Sequence, residues 1–208
     1  MSKKPLFIVI EGVDGSGKST QIELLKSNFR KVNRQVLETH EPTDGPVGIL
    51  LKNIMTGRIV ADPSTTAALF LADRLDHITN SLNGMKKRLD EGFNIICSRY
   101  YFSSYAFQSE YVPIDWIVLC NSLCKTYLKP DLIFYLNVDP NVCISRINKG
   151  RADKEIYENL KKITDTHKAY LKVFKDWGED ENIHVVDGEQ STQTIAEEIW
   201  KITGQHMD

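Results

Sequence analysis

The chain has 208 residues, and 26 Lys and Arg against 28 Asp and Glu give it a formal net charge of −2. With 41% hydrophobic and 26% charged residues it has the composition of a globular protein, and its length suffices for one domain with a buried core. The near-neutral charge argues against a general nucleic-acid-binding protein, and no apolar run approaches the roughly 20 residues of a membrane span.

The amino terminus and the cysteines predict a cytoplasmic protein. Residues 1–5 lead into a short apolar segment that is typical of a buried strand and not of a secretory signal, so reduced thiols are expected. A zinc site at Cys120 and Cys124 would need further ligands, and His77 and His167 are distant in sequence. We therefore expect small buried side chains at Cys97, Cys120, Cys124 and Cys143.

Apolar runs alternate with amphipathic stretches along the chain. In chain order, short runs rich in Ile, Val, Leu and Phe predict strands at residues 6–11, 35–40, 93–98, 131–138 and 182–186. The intervening patterns predict helices at 18–31, 47–56, 64–91, 103–109, 114–126, 140–148, 154–177 and 192–203. Gly84 could divide the segment 64–91 into two helices. This alternation predicts a doubly wound α/β domain with a parallel sheet, in which ligands bind beyond the carboxyl ends of the strands.

The first strand is followed directly by G-V-D-G-S-G-K-S-T, which matches the phosphate-loop pattern G-x-x-x-x-G-K-[ST]. Its glycines let successive N–H groups surround phosphate oxygens, Lys18 supplies a charge for the β and γ phosphates, and the Ser19 hydroxyl is placed to ligate Mg²⁺. The loop predicts binding of ATP or GTP but does not by itself distinguish a kinase from an ATPase, a GTPase or a motor. The nucleotide-binding residues that it predicts are Gly12, Val13, Asp14, Gly15, Ser16, Gly17, Lys18, Ser19 and Thr20.

Further motifs follow the later strands and favour a kinase with a second substrate. The chain is too short for a large motor and lacks the N-K-x-D pattern of guanine readers. Polar groups that suit an acceptor site occur in H-E-P-T at 40–43, D-R-L-D-H at 73–77, S-R-Y at 98–100 and S-S-Y-A-F-Q at 103–108. Three cations, Arg146, Lys149 and Arg151, follow the fourth strand.

These motifs resemble those of the thymidylate kinases, in the nucleoside monophosphate kinase group, over nearly the whole chain. The resemblance rests on GVDGSGKST, the E-P-T turn, LFLADR, RYYFSSYAFQ, LIFYLNV followed by Asp139 and Pro140, and SRINKGR, in the family's order and spacing. It implies phosphoryl transfer from MgATP to dTMP, giving dTDP and ADP. It also implies a single domain over residues 1–208, a five-stranded parallel core, a mobile lid at about 146–154 and a homodimer.

The resemblance assigns the thymine base to Phe70 and Arg74, which lie one helical turn apart. Phe70 would stack on the base and Arg74 would bond its O4 edge, although a helical Phe is more often simple core. Asp14 would meet the deoxyribose 3′-hydroxyl, or else cap its own loop. The full dTMP set that the resemblance implies is Asp14, Glu41, Phe70, Arg74, Arg99, Ser103, Ser104, Phe107 and Gln108.

Arg99 would grip the dTMP phosphate, with an internal salt bridge as the alternative. Of Ser103 and Ser104, we expect one to cap the helix that starts there and the other to lie beside the base. Phe107 stands where the family often has Tyr and keeps the steric wall against a ribose 2′-hydroxyl. Gln108 completes the pocket.

For the metal and the lid, the resemblance implies Mg²⁺ at Ser19, joined through water by Glu41, whose alternative role is an ordinary turn carboxylate. Because Gly15 stands where some members carry an Arg, the transferring phosphate would receive its cation from Lys149 or Arg151 as the lid closes. Arg146 would hold adenine or a donor phosphate. The catalytic set is then Lys18, Arg99, Lys149 and Arg151, and the alternative is a solvated charge run after strand four.

Two departures from the family pattern leave other functions open. Ser98 replaces an Asp that supports the magnesium shell, and His40 replaces an Arg before the Glu-Pro turn. The alternatives are a kinase for another nucleoside monophosphate or a deoxynucleoside, and a catalytically weak nucleotide-binding regulator.

Overall fold

A computed structural model describes residues 4–147 and 153–207. In these residues the chain forms β1 (Phe7–Glu11), α1 (Lys18–Lys31), β2 (Val36–His40), α2 (Pro46–Met55), α3 (Pro63–Thr79), α4 (Met85–Asp90), β3 (Asn94–Ser98), α5 (Tyr101–Gln108), α6 (Ile114–Tyr127), β4 (Leu132–Asn137), α7 (Pro140–Ile147), α8 (Asp153–Trp177), β5 (Ile183–Asp187) and α9 (Thr192–Gly204). The predicted doubly wound α/β architecture is confirmed.

The sheet has five parallel strands in the order β2-β3-β1-β4-β5. Every residue of β1 is buried, as expected for a central strand covered by helices on both faces, whereas the edge strands β2 and β5 are partly exposed. One core, which includes Phe7, Val9 and Tyr135, packs under α3, α5 and α8. The other core, which includes Ile8, Ile10 and Phe29, packs under α1 and α9. Because all strands run in one direction, the loops after β1, β2, β3 and β4 meet at one edge of the sheet.

The long predicted helix at 64–91 is in fact two helices. Asp62 caps α3, its side chain accepting a hydrogen bond from the Ser64 N–H, and Pro63 occupies the first turn. The chain leaves α3 at Asn80 and starts α4 after Gly84, where a Cβ atom would lie 2.6 Å from the Asn80 carbonyl oxygen. A side chain at Gly84 would therefore clash with backbone.

The predicted start of the helix at 103–109 is wrong in an informative way. α5 begins at Tyr101, and its cap residue Tyr100 makes no side-chain cap. Neither Ser103 nor Ser104 is an N-cap, because both lie inside the helix, where their hydroxyls face buried charged groups. The other helix and strand predictions agree with the structure to within about two residues at the described ends.

The four cysteines are free thiols, three of them buried and Cys120 half-buried. Within residues 4–147 and 153–207, no helix combines the length and the apolar character needed to cross a bilayer.

Candidate active site

The phosphate loop joins β1 to α1 and has a backbone that glycine alone adopts easily. Gly15 and Gly17 have φ of +79° and +96°, in the left-handed region that an L side chain strains. At Gly15 a Cβ atom would also lie 2.5 Å from the carbonyl oxygen of Cys143 in α7. The loop therefore has no space for a side chain at Gly15.

Lys18 folds back over the loop, and its Nζ donates hydrogen bonds of 2.9 Å to the carbonyl oxygens of both Gly12 and Val13. Burial, followed by the nearby charge of Arg99, lowers the pKa of Lys18 to about 7. A bound phosphate would return the ammonium to its charged form by offering negative charge at this point. The loop thus keeps the Lys18 amino group beside the predicted phosphate site.

A cavity of about 330 Å³ opens beside this loop, with walls from α3, α5 and α8. Its lining contains every residue predicted to bind the acceptor, namely Asp14, Glu41, Phe70, Arg74, Arg99, Ser103, Ser104, Phe107 and Gln108. Phe70 is half-buried and lies outside both cores, so its ring is a wall of the cavity. The structure therefore brings together residues spread over some ninety positions of sequence.

Arg74 lies at the inner end of the cavity with only 1% of its surface exposed. Its Nε donates to Glu41 Oε2 at 2.8 Å, and Nη2 lies 2.6 Å from the same oxygen in an ion pair. Nη1 donates to Ser104 Oγ at 2.9 Å and to Asn121 Oδ1 at 2.6 Å. Burial raises the pKa of Glu41, but Arg74 and His77 outweigh this effect and lower it. The guanidinium is therefore fixed and charged, with the Ser104 hydroxyl beside it.

Glu41 binds Arg74 through Oε2 and contacts His77 through Oε1, which lies 3.1 Å from His77 Nδ1. The turn that carries Glu41 is anchored by Asp73, whose carboxylate accepts from the N–H and the hydroxyl of Thr43 at 2.8 and 2.6 Å. In the D-R-L-D-H motif of α3, Arg74 thus lines the cavity, while Asp73 and His77 hold the turn and the carboxylate that pair with it. Sequence reasoning noted these residues but saw no partner for Asp73 or His77, because the contacts span 30 and 36 positions.

Arg99 reaches across the cavity mouth to the phosphate loop, where its Nη2 forms a 2.6 Å ion pair with Asp14 Oδ1. This is the internal salt bridge that the sequence left open as an alternative to phosphate binding. The Asp14 side chain is 72% exposed, so the pair faces solvent and is weakly held. The Arg99 guanidinium also lies 4.9 Å from the centre of the Phe107 ring.

Three residues of the site were missed by sequence reasoning. Glu11 ends β1 as a fully buried carboxyl group, and Tyr170, which the apolar face of α8 marked as core, directs its hydroxyl at Glu11 and Arg99. Lys162 lines both the acceptor cavity and a second cavity of about 270 Å³ between the loop and α8. In the sequence, nothing distinguishes Glu11 from an ordinary polar residue at the end of a strand, or Lys162 from a solvated lysine.

The donor side is described only in part. Arg146 at the end of α7 donates to the carbonyl oxygens of Gly15 and Gly188, at 3.4 and 3.3 Å, and so lies over the phosphate loop. Lys149 and Arg151, the predicted lid cations, lie outside the described residues.

The oxygen donors at the loop fit Mg²⁺. Ser19 is the second residue of α1 and presents an exposed hydroxyl, a hard ligand of the kind that Mg²⁺ combines with phosphate oxygens and water. The buried hydroxyl of Ser16 has no hydrogen-bond partner among the described atoms. Glu41, Cys97 and His77 also lie close together, but Arg74 already neutralises Glu41, and burial raises the pKa of the Cys97 thiol well above its ordinary value. This second group therefore lacks the thiolate that a metal would need.

The two residues that depart from the family pattern, Ser98 and His40, lie in different parts of the structure. Ser98 ends β3, and its carbonyl oxygen accepts from the Glu41 N–H at 3.1 Å, so its backbone supports the turn. His40 is exposed and faces Asp44 and Lys52, at 3.7 and 3.4 Å. It lines a separate cavity and not the acceptor cavity. A charge at position 40 is thus directed away from the acceptor.

The strand order, the phosphate loop after β1 and the cavity beside it define a P-loop protein of the nucleoside monophosphate kinase class. The sequence model of the thymidylate kinase family matches residues 10–199, and the chain belongs to this family.

Similar proteins carry the name of the same family. A probable thymidylate kinase of Caldivirga maquilingensis is 32% identical over 93% of this chain and 91% of its own length. A probable thymidylate kinase of Pyrobaculum aerophilum is 34% identical over 93% of each chain. A thymidylate kinase of Leptospira interrogans is 28% identical over 97% of this chain and 95% of its own.

Proposed function

We propose that this protein is an ATP:dTMP phosphotransferase, which transfers the γ-phosphoryl group of ATP to dTMP and yields dTDP and ADP. The observation that carries the proposal is the acceptor cavity of about 330 Å³ beside the phosphate loop, whose wall unites an aromatic ring, a fixed guanidinium and an exchangeable arginine. Family membership over residues 10–199 supports the same reaction.

In the acceptor half of the reaction, the cavity residues orient dTMP. The half-buried Phe70 ring offers a face for a planar base, and Arg74 with Ser104 offers donors to its polar edge. Gln108 Oε1 is buried without a partner among the described atoms and provides an acceptor on the same wall. A base held at this inner end places the 5′-phosphate towards Arg99 and the loop, where transfer takes place.

The donor half uses the phosphate loop. Backbone N–H groups and Lys18 hold the ATP phosphates, and the Ser19 hydroxyl is the protein ligand that we assign to Mg²⁺. When bound, Mg²⁺ neutralises charge on the phosphate oxygens. Arg99 exchanges Asp14 for the acceptor phosphate, which leaves the Asp14 carboxylate free for the sugar hydroxyl. The protein thereby aligns the two nucleotides without forming a covalent intermediate.

We assign the remaining transition-state cation to the lid at about 146–154, within one domain over residues 1–208. The crowding at Gly15 supports this assignment, because the phosphate loop has no space for a cationic side chain there. Lys149 and Arg151 are the candidates, and Arg146 over the loop is assigned to adenine or a donor phosphate.

We also propose a homodimer located in the cytoplasm. One face of α6 carries four exposed large side chains at three- and four-residue spacing, Trp116, Leu119, Leu123 and Tyr127, with exposures of 39 to 70%. A second copy of the chain would cover this stripe. Free, mostly buried thiols support a reducing compartment.

The proposed reaction is tested by a coupled ADP-release assay with MgATP and four acceptors: dTMP, dUMP, dGMP and thymidine. We expect the highest kcat/KM with dTMP and no turnover of thymidine, because Arg99 requires a phosphate. Higher kcat/KM with dGMP or thymidine would point to a different kinase. ATP binding without turnover of any acceptor would point to a regulator.

A further inference from the structure

Glu11, the last residue of β1, has no exposed surface, and the reaction described above does not use it. Its Oε1 accepts hydrogen bonds from the N–H groups of Tyr100 and Ser103, at 2.9 and 3.3 Å. Its Oε2 accepts from the hydroxyls of Ser103 and Tyr170, at 2.7 and 2.9 Å. Burial raises the pKa of Glu11, and these hydrogen bonds together with the charge of Arg99 oppose that rise. Four donors from two helices thus converge on one carboxyl group.

The backbone of Arg99 is held in an unusual conformation next to this group. Its φ of +69° lies in the left-handed region, which costs a residue other than glycine about 1 kcal/mol or more. The Arg99 N–H donates to the Ile10 carbonyl oxygen at 3.1 Å, and its carbonyl oxygen accepts from the Cys97 thiol at 3.1 Å. The next N–H, of Tyr100, is the one bound by Glu11. The turn that directs Arg99 into the cavity is therefore clamped on both sides.

The guanidinium of Arg99 is connected to the same carboxyl group. Its Nη1 donates to the Tyr170 hydroxyl oxygen at 3.1 Å and lies 3.4 Å from Ser103 Oγ. Both of these hydroxyls donate in turn to Glu11 Oε2. Glu11 consequently fixes the peptide group between Arg99 and Tyr100 directly, and the charged end of Arg99 through two hydroxyl groups.

We infer that Glu11 is a positioning residue that, through Tyr170 and Ser103, directs Arg99 at the phosphate of the acceptor nucleotide. The inference rests on the proposed function, since the acceptor phosphate is what Arg99 must meet. Glu11 does not touch substrate in this arrangement. Its removal should therefore weaken handling of the acceptor while leaving the donor site in place.

The test compares Glu11→Gln, Tyr170→Phe and the double variant with wild type in steady-state assays with dTMP and MgATP. We expect Glu11→Gln to lower kcat/KM for dTMP about tenfold or more, while KM for ATP changes less than about twofold. Tyr170→Phe removes one hydroxyl and should act in the same direction. Because both act through Arg99, the loss in the double variant should be smaller than the product of the two single losses.

Glu181→Gln is the matched control, because Glu181 is also a buried carboxyl, 1% exposed, but pairs with Lys125 and does not line the cavity. It should keep kcat/KM for dTMP within about twofold even where the melting temperature falls. The inference is overturned if Glu11→Gln keeps wild-type kcat/KM, if its loss matches that of Glu181→Gln, or if the losses multiply fully. Should Glu11→Gln not fold, Tyr170→Phe decides alone, with wild-type kcat/KM as the contrary result. A wild-type protein without dTMP turnover overturns the proposed function instead.

Discussion

The two arginines of the acceptor cavity are neutralised in different ways, and the difference suits their roles. Arg74 and Glu41 are both almost fully buried and hold each other in a fixed geometry. Arg99 is paired with Asp14, whose side chain is mostly exposed and easily solvated. The buried pair keeps Arg74 rigid, as its proposed contact with the base requires, and the exposed pair leaves Arg99 free for its proposed exchange of Asp14 for a phosphate.

The Glu41–Arg74 pair predicts a pH-dependent stability. Because the pKa of Glu41 is lowered from its ordinary value of 4.5, its stabilising contribution is present above that value and is lost as the pH falls through the folded-state pKa. We expect Glu41→Gln to reduce the free energy of unfolding at pH 7 by about 3–5 kcal/mol, since it leaves Arg74 without its counter-charge. Urea unfolding from pH 7 to pH 3 measures this, with the exposed Asp165→Asn as control. A wild-type-to-variant difference that stays constant down to pH 3 would contradict the assignment.

Lys162 predicts a kinetic effect that its neighbour does not share. It lines both cavities, its charge contributes to the lowered pKa of Asp14, and it forms no ion pair with any described side chain. Lys162→Ala should lower kcat/KM for dTMP about five- to tenfold, the effect of one charge near a phosphate at the protein surface. Lys161 pairs with Asp165 on the outer face of α8, so Lys161→Ala should stay within about twofold. Equal effects of the two variants in the same assay would reject the role of Lys162.

At the scale of elements, the loop between β1 and α1 depends on close contact with α7. Gly15 and Gly57 have similar φ values, +79° and +73°, but a Cβ at Gly15 meets the Cys143 carbonyl oxygen while a Cβ at Gly57 meets nothing within 4 Å. Strain from the backbone angle alone would thus be the same at both positions.

Gly15→Ala and Gly57→Ala separate these two effects. We expect Gly57→Ala to cost about 1 kcal/mol of stability and to leave ATP binding unchanged. Gly15→Ala should weaken ATP binding by at least about tenfold, because the loop must move away from α7 to admit the methyl group. Fluorescence titration with a labelled ATP analogue gives both affinities. Similar affinities for the two variants would show that crowding against α7 is unimportant.

The elements themselves were largely predictable, whereas their contacts were not. Apolar runs placed all five strands, and the spacing of apolar residues placed α8, because burial on known faces is a local property of the sequence. The start of α5 was predicted wrongly, because serine is a common N-cap residue. The true hydrogen-bond partner of the Ser103 hydroxyl is Glu11, which lies 92 positions away. Tyr170 was predicted to be simple core, because the hydrogen-bond partners of its hydroxyl are also distant in sequence. Its ring is buried, but its hydroxyl serves a charge network that no local pattern reveals.

At the scale of the whole molecule, the net charge of −2 conceals a concentration of cations at one edge of the sheet. Lys18 and Arg99 directly follow the parallel strands β1 and β3 at this edge. Arg74 in α3 and Lys162 in α8 line the cavity together with Arg99. The glycine pattern alone identified the phosphate loop. The residues assigned to the acceptor were predicted only through the family resemblance, and in the structure they line one cavity.

The exposed stripe on α6 predicts how the chain assembles. If a second copy covers it, Leu119→Glu should convert the dimer to a monomer, because Leu119 is 70% exposed in the middle of the stripe. Light scattering after size-exclusion chromatography reports the mass. Leu82 is 77% exposed outside α6, and Leu82→Glu should leave the mass unchanged. A wild-type mass of one chain, or a Leu119→Glu dimer, would reject this interface.

In the proposed reaction, two nucleotides meet between the phosphate loop and the cavity, so that ATP phosphorylates dTMP and not water. The most direct measurement is chromatographic separation of all nucleotides after incubation of the protein with MgATP and dTMP. We expect dTDP and ADP in equal amounts, with neither product formed when dTMP is omitted. ADP formed without dTDP, or at the same rate in the absence of dTMP, would contradict it.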